Sequence, residues 1–322
     1  MKALVVDGVV KQFGNHVAVD DVTFEVACGA VYGILGPNGA GKSTMLRMIN
    51  DIIAPDRGRI SILDGMPPGL EAARRIGYLP EERGLYPKMR VLDMIEFMGE
   101  LRGLSRGESK RRALAWLDRL GLAKWATNKV QDLSKGMQQK VQFTTALIHE
   151  PELVILDEPW SGLDPVNAEV LREVVEEIRA AGRTVLFSTH LMEQAEKLCD
   201  SVCIIARGKK VLDGTLRDIK HASAAAGVVA LGFFDEAARA KAEPVLADRA
   251  LVARSPSGAS DAIDCEVELI DATRSAALLA ALVAAGVAIR RFEVVVPSLH
   301  DIFIAKVGDS AAIAERRPEE AA

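Results

Sequence analysis

The residues with the clearest chemical capacity are Gly36, Pro37, Asn38, Gly39, Ala40, Gly41, Lys42, Ser43 and Thr44. They satisfy G-x-x-x-x-G-K-[ST], a spacing that wraps backbone around phosphate oxygens. The glycines remove the side chains that would block close approach, so successive N–H groups can turn inward onto an anion. A helix predicted from Ser43 to Asn50 brings its positive end to the same point. Lys42 is placed to reach the terminal phosphates, and the Ser43 hydroxyl to bind Mg²⁺. The chemistry indicated is capture of a nucleoside triphosphate.

Two adjacent carboxylates, Asp157 and Glu158, follow the apolar run Leu153-Val154-Ile155-Leu156. A buried strand would deliver them at its carboxyl end, where ligands bind in such sheets. Asp157 can hold Mg²⁺ through its water shell. Glu158 can accept a proton from the attacking water or orient it. A third stretch is Leu133-Ser134-Lys135-Gly136-Met137. Here Ser134 suits a helix N-cap, and Gly136 lets backbone approach a phosphate.

The elements that must carry these groups alternate in type. Strands are predicted at 4–10 and 22–26, with Gly14-Asn15 as the turn between them, and at 31–35, 59–63 and 76–79, the last stopped by Pro80. From Val91 the pattern turns helical: Leu92, Ile95, Phe97, Met98 and Leu101 give an apolar face at roughly helical spacing, and a second helix over 108–120 closes at Gly121. This predicts a helical insertion. Strands at 153–156, 184–188 and 201–206 and a helix over 165–180 then predict a largely buried parallel sheet. Beyond residue 220 the composition shifts. Ala222 to Ala226 reads as a linker, residues 221–308 as a small α+β domain, and the polar, Ala-rich 309–322 as a disordered tail.

The chain has 322 residues, 49% of them apolar, and a net charge of −5. That suits one large domain plus a smaller one and argues against a broad nucleic-acid surface. Cys28, Cys199, Cys203 and Cys265 are expected to be free and buried, in a reducing compartment. The start of the chain is too short in apolar residues for a signal peptide. The longest apolar run, 275–289, is interrupted by Gly286 and stopped by Arg290-Arg291, short of the ~20 residues that span a bilayer. A cytoplasmic protein is expected, with any membrane role supplied by a separate partner.

In their order, these motifs resemble the nucleotide-binding subunit of ABC transporters over residues 1–220. The phosphate loop is similar to that family's Walker A, Leu153 to Glu158 to Walker B, and Leu133 to Met137 to the LSGGQ signature. Ser161-Gly162-Leu163-Asp164 resembles the D-loop, His190 the switch histidine that contacts the γ-phosphate, and Phe13 the aromatic that stacks on adenine. The resemblance implies an α/β P-loop NTPase with a helical subdomain at about 83–140. It implies ATP and Mg²⁺, with Lys42, Glu158 and His190 catalytic and with Ser43, Asp157 and Glu81 at the metal. It also implies a second ATPase subunit, most simply an identical one, placed head to tail so that Ser134 and Gly136 complete the opposite site. A membrane permease would hold the protein on the inner face of the cell membrane, touched by Arg83, Leu85 and Tyr86.

Some positions depart from the family pattern. Lys135 and Met137 stand where Gly and Gln are usual, and Glu81 stands where the Q-loop has glutamine. A carboxylate there could tighten Mg²⁺ or repel the γ-phosphate. The run Pro80-Glu81-Glu82-Arg83-Gly84-Leu85-Tyr86-Pro87, the signature variant, and Pro297 to Phe303 resemble the NatA-type exporter branch. Two other readings are an importer subunit and a soluble ATPase of the same class acting on ribosomes or DNA. The latter commonly carries two cassettes or long coiled coils, and this chain has neither.

Overall fold

A computed structural model describes residues 1–82, 84–224, 227–257 and 264–314. The chain divides into two compact units, Met1–Thr215 and Leu216–Ala322.

The first unit opens with a hairpin of β1 (Lys2–Phe13) and β2 (His16–Ala27). Gly14 turns it with φ of +56°, a conformation that costs glycine little. Both strands outrun their predicted bounds, and β4 (Arg57–Ile62) pairs with the far side of β1 in a three-stranded antiparallel sheet ordered β2-β1-β4. One face of this sheet is apolar. Leu4, Val6, Val22, Phe24 and Ile62 pack with Met45, Leu46 and Ile49 of α1 (Lys42–Ile49) in one core. Each such fully buried side chain contributes about 1.5–3 kcal/mol.

The second layer is a six-stranded sheet ordered β5-β6-β7-β3-β8-β9. Its strands are β3 (Val31–Leu35), β5 (Ile76–Leu79), β6 (Leu153–Asp157), β7 (Thr184–Thr189), β8 (Ser201–Ala206) and β9 (Lys209–Thr215). The first five run parallel, and β9 is antiparallel to β8. Every residue of β3, β6 and β7 is buried, as unbroken apolar runs require when a parallel sheet is covered on both faces. The short helix α2 (Leu70–Arg75) and the strand β9 lie outside the elements expected from periodicity.

The insertion is helical as expected: α3 (Val91–Leu101), α4 (Arg106–Arg119) and α5 (Lys135–Leu147). It has its own core, including Val91, Ile95, Leu117 and Val141. The Ser105 hydroxyl caps α4 by accepting from the Glu108 N–H. Two further helices, α6 (Pro165–Ala180) and α7 (Met192–Leu198), complete the unit.

In the second unit α8 (Leu216–Ala224) replaces most of the expected linker, and residues 225 and 226 lie outside the described residues. There follow β10 (Val228–Phe233), α9 (Glu236–Leu246), β11 (Val252–Ser257), β12 (Asp264–Leu269), α10 (Ser275–Ala284), β13 (Ile289–Val294) and α11 (Leu299–Ala314). The strands form an antiparallel sheet ordered β11-β12-β10-β13. With α9 and α10 this is the split β-α-β-β-α-β arrangement. The apolar run that ends at Arg290-Arg291 is thus α10, a turn at Gly286 (φ +66°) and the start of β13. The expected tail is in part α11, which runs to Ala314; residues 315–322 lie outside the described residues. All four cysteines are free, and Cys203 and Cys265 are buried; Cys28 is exposed, because it follows β2 in a surface turn, and Cys199 is partly exposed where α7 ends. Among the described residues no helix is long and apolar enough to cross a membrane.

Candidate active site

Strand order brings the predicted residues together. β7 lies between β3 and β6, with Ser188 level with both Ile34 and Asp157. The loops leaving the carboxyl ends of all three strands therefore share one edge. The phosphate loop leaves β3, Glu158 leaves β6 and His190 leaves β7.

The glycines of the loop serve two different needs. A Cβ on Gly36 would sit 2.0 Å from the Ile205 carbonyl oxygen, and one on Gly41 would sit 2.3 Å from that of Ala18. Gly39 has open space around it but holds φ at +76°. The first two admit close backbone packing, and the third permits a left-handed turn. Ala40 is buried beneath the loop, while Pro37, Asn38 and Gly39 are exposed.

Lys42 is 5% exposed and folds back into its own loop. Its Nζ donates to the carbonyls of Gly36 (2.9 Å) and Pro37 (3.2 Å). It lies 3.1 Å from Glu158 Oε1, as an ion pair without the alignment of a hydrogen bond. Glu158 is itself buried and left-handed, with φ of +48°. Its backbone N–H donates to the carbonyl (3.2 Å) and hydroxyl (3.1 Å) of Ser188, which hold it there. A non-glycine residue kept in this region stores roughly 1–3 kcal/mol, a strain that persists where neighbours over-determine it. Its other carboxylate oxygen is 3.0 Å from His190 Nδ1. His190 is two-fifths exposed, so it presents the rest of its ring outward. Glu158 thus bridges a buried lysine and a solvent-facing histidine.

Asp157 is almost wholly buried and accepts hydrogen bonds from the hydroxyls of Ser43 (3.1 Å) and Ser188 (2.5 Å). Burial pushes its carboxyl above the ordinary range, and the Glu158 charge adds to this; the two hydroxyls work against it. A hydroxyl and a carboxylate form a hard oxygen pair that suits Mg²⁺, and a cation would favour the ionised form. Among the described residues no group of three His, Cys, Asp or Glu forms a metal cage.

An open cleft of about 330 Å³ runs over this loop. It is lined by residues 38–44 and by Phe13, His16, Ala18, Glu81 and Glu158. Phe13, at the end of β1, is half exposed and therefore not a core residue, with Lys11 Nζ 5.5 Å from its ring centre. Glu81 is exposed on the loop after β5. Sequence reasoning missed His16, Ala18 and Ser188. The signal for Ser188 was two hydroxyl residues closing an otherwise apolar buried strand.

Ser134, Gly136 and Asp164 do not line this cleft. Ser134 is the N-cap of α5 and accepts from the Met137 N–H. Asp164 caps α6 and also accepts from the Asn167 side chain (2.5 Å), whose nitrogen would meet a Cβ on Gly136 at 3.0 Å. The signature and the D-loop segment are therefore adjacent to each other, presented on a surface of their own. Lys135 is exposed, and Met137 packs against the core of the helical insertion. Tyr86 is 53% exposed and stands edge-on to Phe97; Arg83 lies outside the described residues.

Comparison with known proteins returns one architecture. The family described as ABC transporter matches residues 19–161, and the C-terminal domain described as ATP-binding protein DrrA1-3-like matches residues 214–307. The uncharacterized ABC transporter ATP-binding protein YhaQ of Bacillus subtilis is 40% identical over 95% of this chain and 98% of its own length. The Nod factor export ATP-binding protein I of Bradyrhizobium diazoefficiens is 40% identical over 64% of this chain and 68% of its own. A dimeric ATP-binding cassette, MJ0796, solved in a post-hydrolysis state with ADP and Pi, superposes with a TM-score of 0.62 at 26% identity. It covers 66% of this chain and 99% of that one.

Proposed function

The chain belongs to the ATP-binding subunits of ABC transporters, and on that premise we propose that it is the energy-coupling ATPase of an exporter. The observation that carries the mechanism is the Lys42–Glu158–His190 chain beside the phosphate loop, with contacts of 3.1 and 3.0 Å. In this reading Phe13 supports the adenine, and the N–H groups of the loop hold the phosphates. Lys42 exchanges Glu158 for the terminal phosphate. Glu158, released from Lys42, takes the proton of the attacking water while His190 holds it in place. Ser43, Asp157 and Glu81 are the residues that would hold Mg²⁺, which supplies charge neutralisation at the transferred phosphoryl group. Catalysis is then positioning plus electrostatics.

The exposed Ser134 and Asp164 and the half-buried Gly136, all outside the cleft, support a head-to-tail pair in which each subunit completes the other's site. An identical partner is the simplest, since one chain carries both halves. The exporter assignment draws on the Nod factor export relative and the DrrA1-3-like second domain. A separate permease on the inner face of the cell membrane is the expected partner, and Leu85 and Tyr86 its expected contacts. No nucleic-acid partner is expected.

The test is affinity purification of the Glu158→Gln variant with ATP from detergent-solubilised host membranes. Recovery of a polytopic membrane protein supports the proposal. Recovery of ribosomes or DNA-repair proteins without one overturns it and favours the soluble class.

A further inference from the structure

We propose that Gln142 is a positioning residue that holds Glu81 in the cleft. Gln142 lies on α5 and is 3% exposed. Its Nε2 donates to the carbonyls of Pro80 (2.9 Å) and Glu82 (3.2 Å), the two residues on either side of Glu81. A single amide group thus grips the backbone immediately before and after the one acidic side chain that the loop after β5 sends into the cleft. Both bonds join segments about sixty residues apart, so nothing in the local turn would make them.

The arrangement carries a cost. Gln142 Oε1 is buried and has no partner among the described residues. A buried unpaired acceptor is destabilising, a cost that an apolar side chain of the same shape would avoid. A residue kept only for packing would not need to be polar here. The neighbouring Gln139 makes the parallel contact, donating to the Pro159 carbonyl (3.2 Å) just after Glu158. The helix that begins at Ser134 therefore holds both loops that bear carboxylates on the nucleotide. From Ser134 to Gln142 it rises about 12 Å. A shift of α5 at its exposed N-terminus is passed to Glu81 through Gln142, without contact between Gln142 and the nucleotide.

This inference rests on the reading that Glu81 faces Mg²⁺ and the attacking water. It is tested by measuring ATP hydrolysis, and fluorescent-ATP binding, of the full chain against Mg²⁺ concentration for the parent, Gln142→Met, Glu81→Ala and the double variant; the Mg²⁺ dependence of binding is expected to shift with that of hydrolysis. Methionine keeps the length and removes both donors. Gln142→Met is expected to lower kcat about tenfold and raise the Mg²⁺ concentration at half-maximal rate about threefold, with KM for ATP within about twofold. In the Glu81→Ala background the same substitution is expected to change kcat by less than about twofold. Equal losses in both backgrounds, or a Gln142→Met variant with the parental Mg²⁺ profile, overturn the role of Gln142 alone. A Glu81→Ala variant with the parental profile overturns the reading of Glu81 and this inference with it. Should Gln142→Met not fold, Gln142→Asn, whose amide sits one methylene short of the carbonyls, carries the same comparison.

Discussion

Replacing Glu158 by glutamine should have opposite effects on binding and turnover. In the structure Lys42 Nζ is held by Glu158 Oε1 at 3.1 Å and by two loop carbonyls. A nucleotide must compete with that carboxylate for the lysine. Glutamine keeps the shape and an acceptor oxygen but removes the charge. A charge-assisted contact nets about 1.5–3 kcal/mol, and a neutral acceptor retains part of it. The competition removed is therefore about 1 kcal/mol, or roughly fivefold tighter ATP. The same change removes the group that accepts the proton of the attacking water, which costs on the order of 10²–10⁴ in rate, about 2.7–5.4 kcal/mol of barrier. A fluorescent-ATP titration measures the first effect, single-turnover phosphate release the second, and gel filtration the ATP-held pair that a stalled site should leave. Parental turnover would refute Glu158 as the base. Weaker ATP binding would refute the competition, since it would mean that the carboxylate helps to present Lys42.

Gly36→Ala should unfold the loop or abolish nucleotide binding, because its Cβ would lie 2.0 Å from a backbone oxygen at a φ of +152°. Gly39→Ala, with open space but φ of +76°, should cost only about 1–2 kcal/mol; thermal denaturation and nucleotide titration separate the two. Mixing Lys42→Ala subunits with Ser134→Glu subunits, each inactive alone, should restore hydrolysis, because one of the two composite sites is then intact. No recovery in verified mixed dimers would count against the head-to-tail pair. His149 is driven down to about 4 by burial, and then by the nearby Arg102 charge, while its Nε2 bonds the Ile76 carbonyl (3.1 Å). Between about pH 6.5 and 4 the unfolded chain binds a proton that the folded chain refuses, so stability is full above that window and falls by about 1–3 kcal/mol through it. His149→Gln keeps a donor and should flatten the difference between urea midpoints at pH 7 and pH 5.

The motifs were legible because each is local. β3, β6 and β7 are each built on a continuous apolar run, and buried parallel strands read that way. The helix at Pro165 starts where Asp164 caps it and proline opens it, so its first residue could be placed. The β1–β2 turn was legible at Gly14-Asn15, but the pairing of β4 with β1 was not, since the two strands lie in separate segments. The linker was misread because an alanine-rich stretch without periodic apolar residues also suits the end of a helix, as α8 shows.

What local reading could not supply was the distance between motifs. In chain order the phosphate loop follows β3, the acids follow β6 and the histidine follows β7. In space β7 is inserted between the other two. That insertion lets Ser188 donate to Asp157 Oδ1 and accept from the Glu158 N–H, and it sets His190 against Glu158. Ser188 therefore has its role only in the folded topology: the hydroxyls that close its strand mark the position without naming its partners. Gln142 is the same case across a longer separation, since its partners are set by how α5 lies against the end of β5. Residues that touch phosphate are constrained in type by the ligand and stand out in sequence. Residues that hold those residues are constrained only by the fold, so they become visible when strand order and helix placement are known.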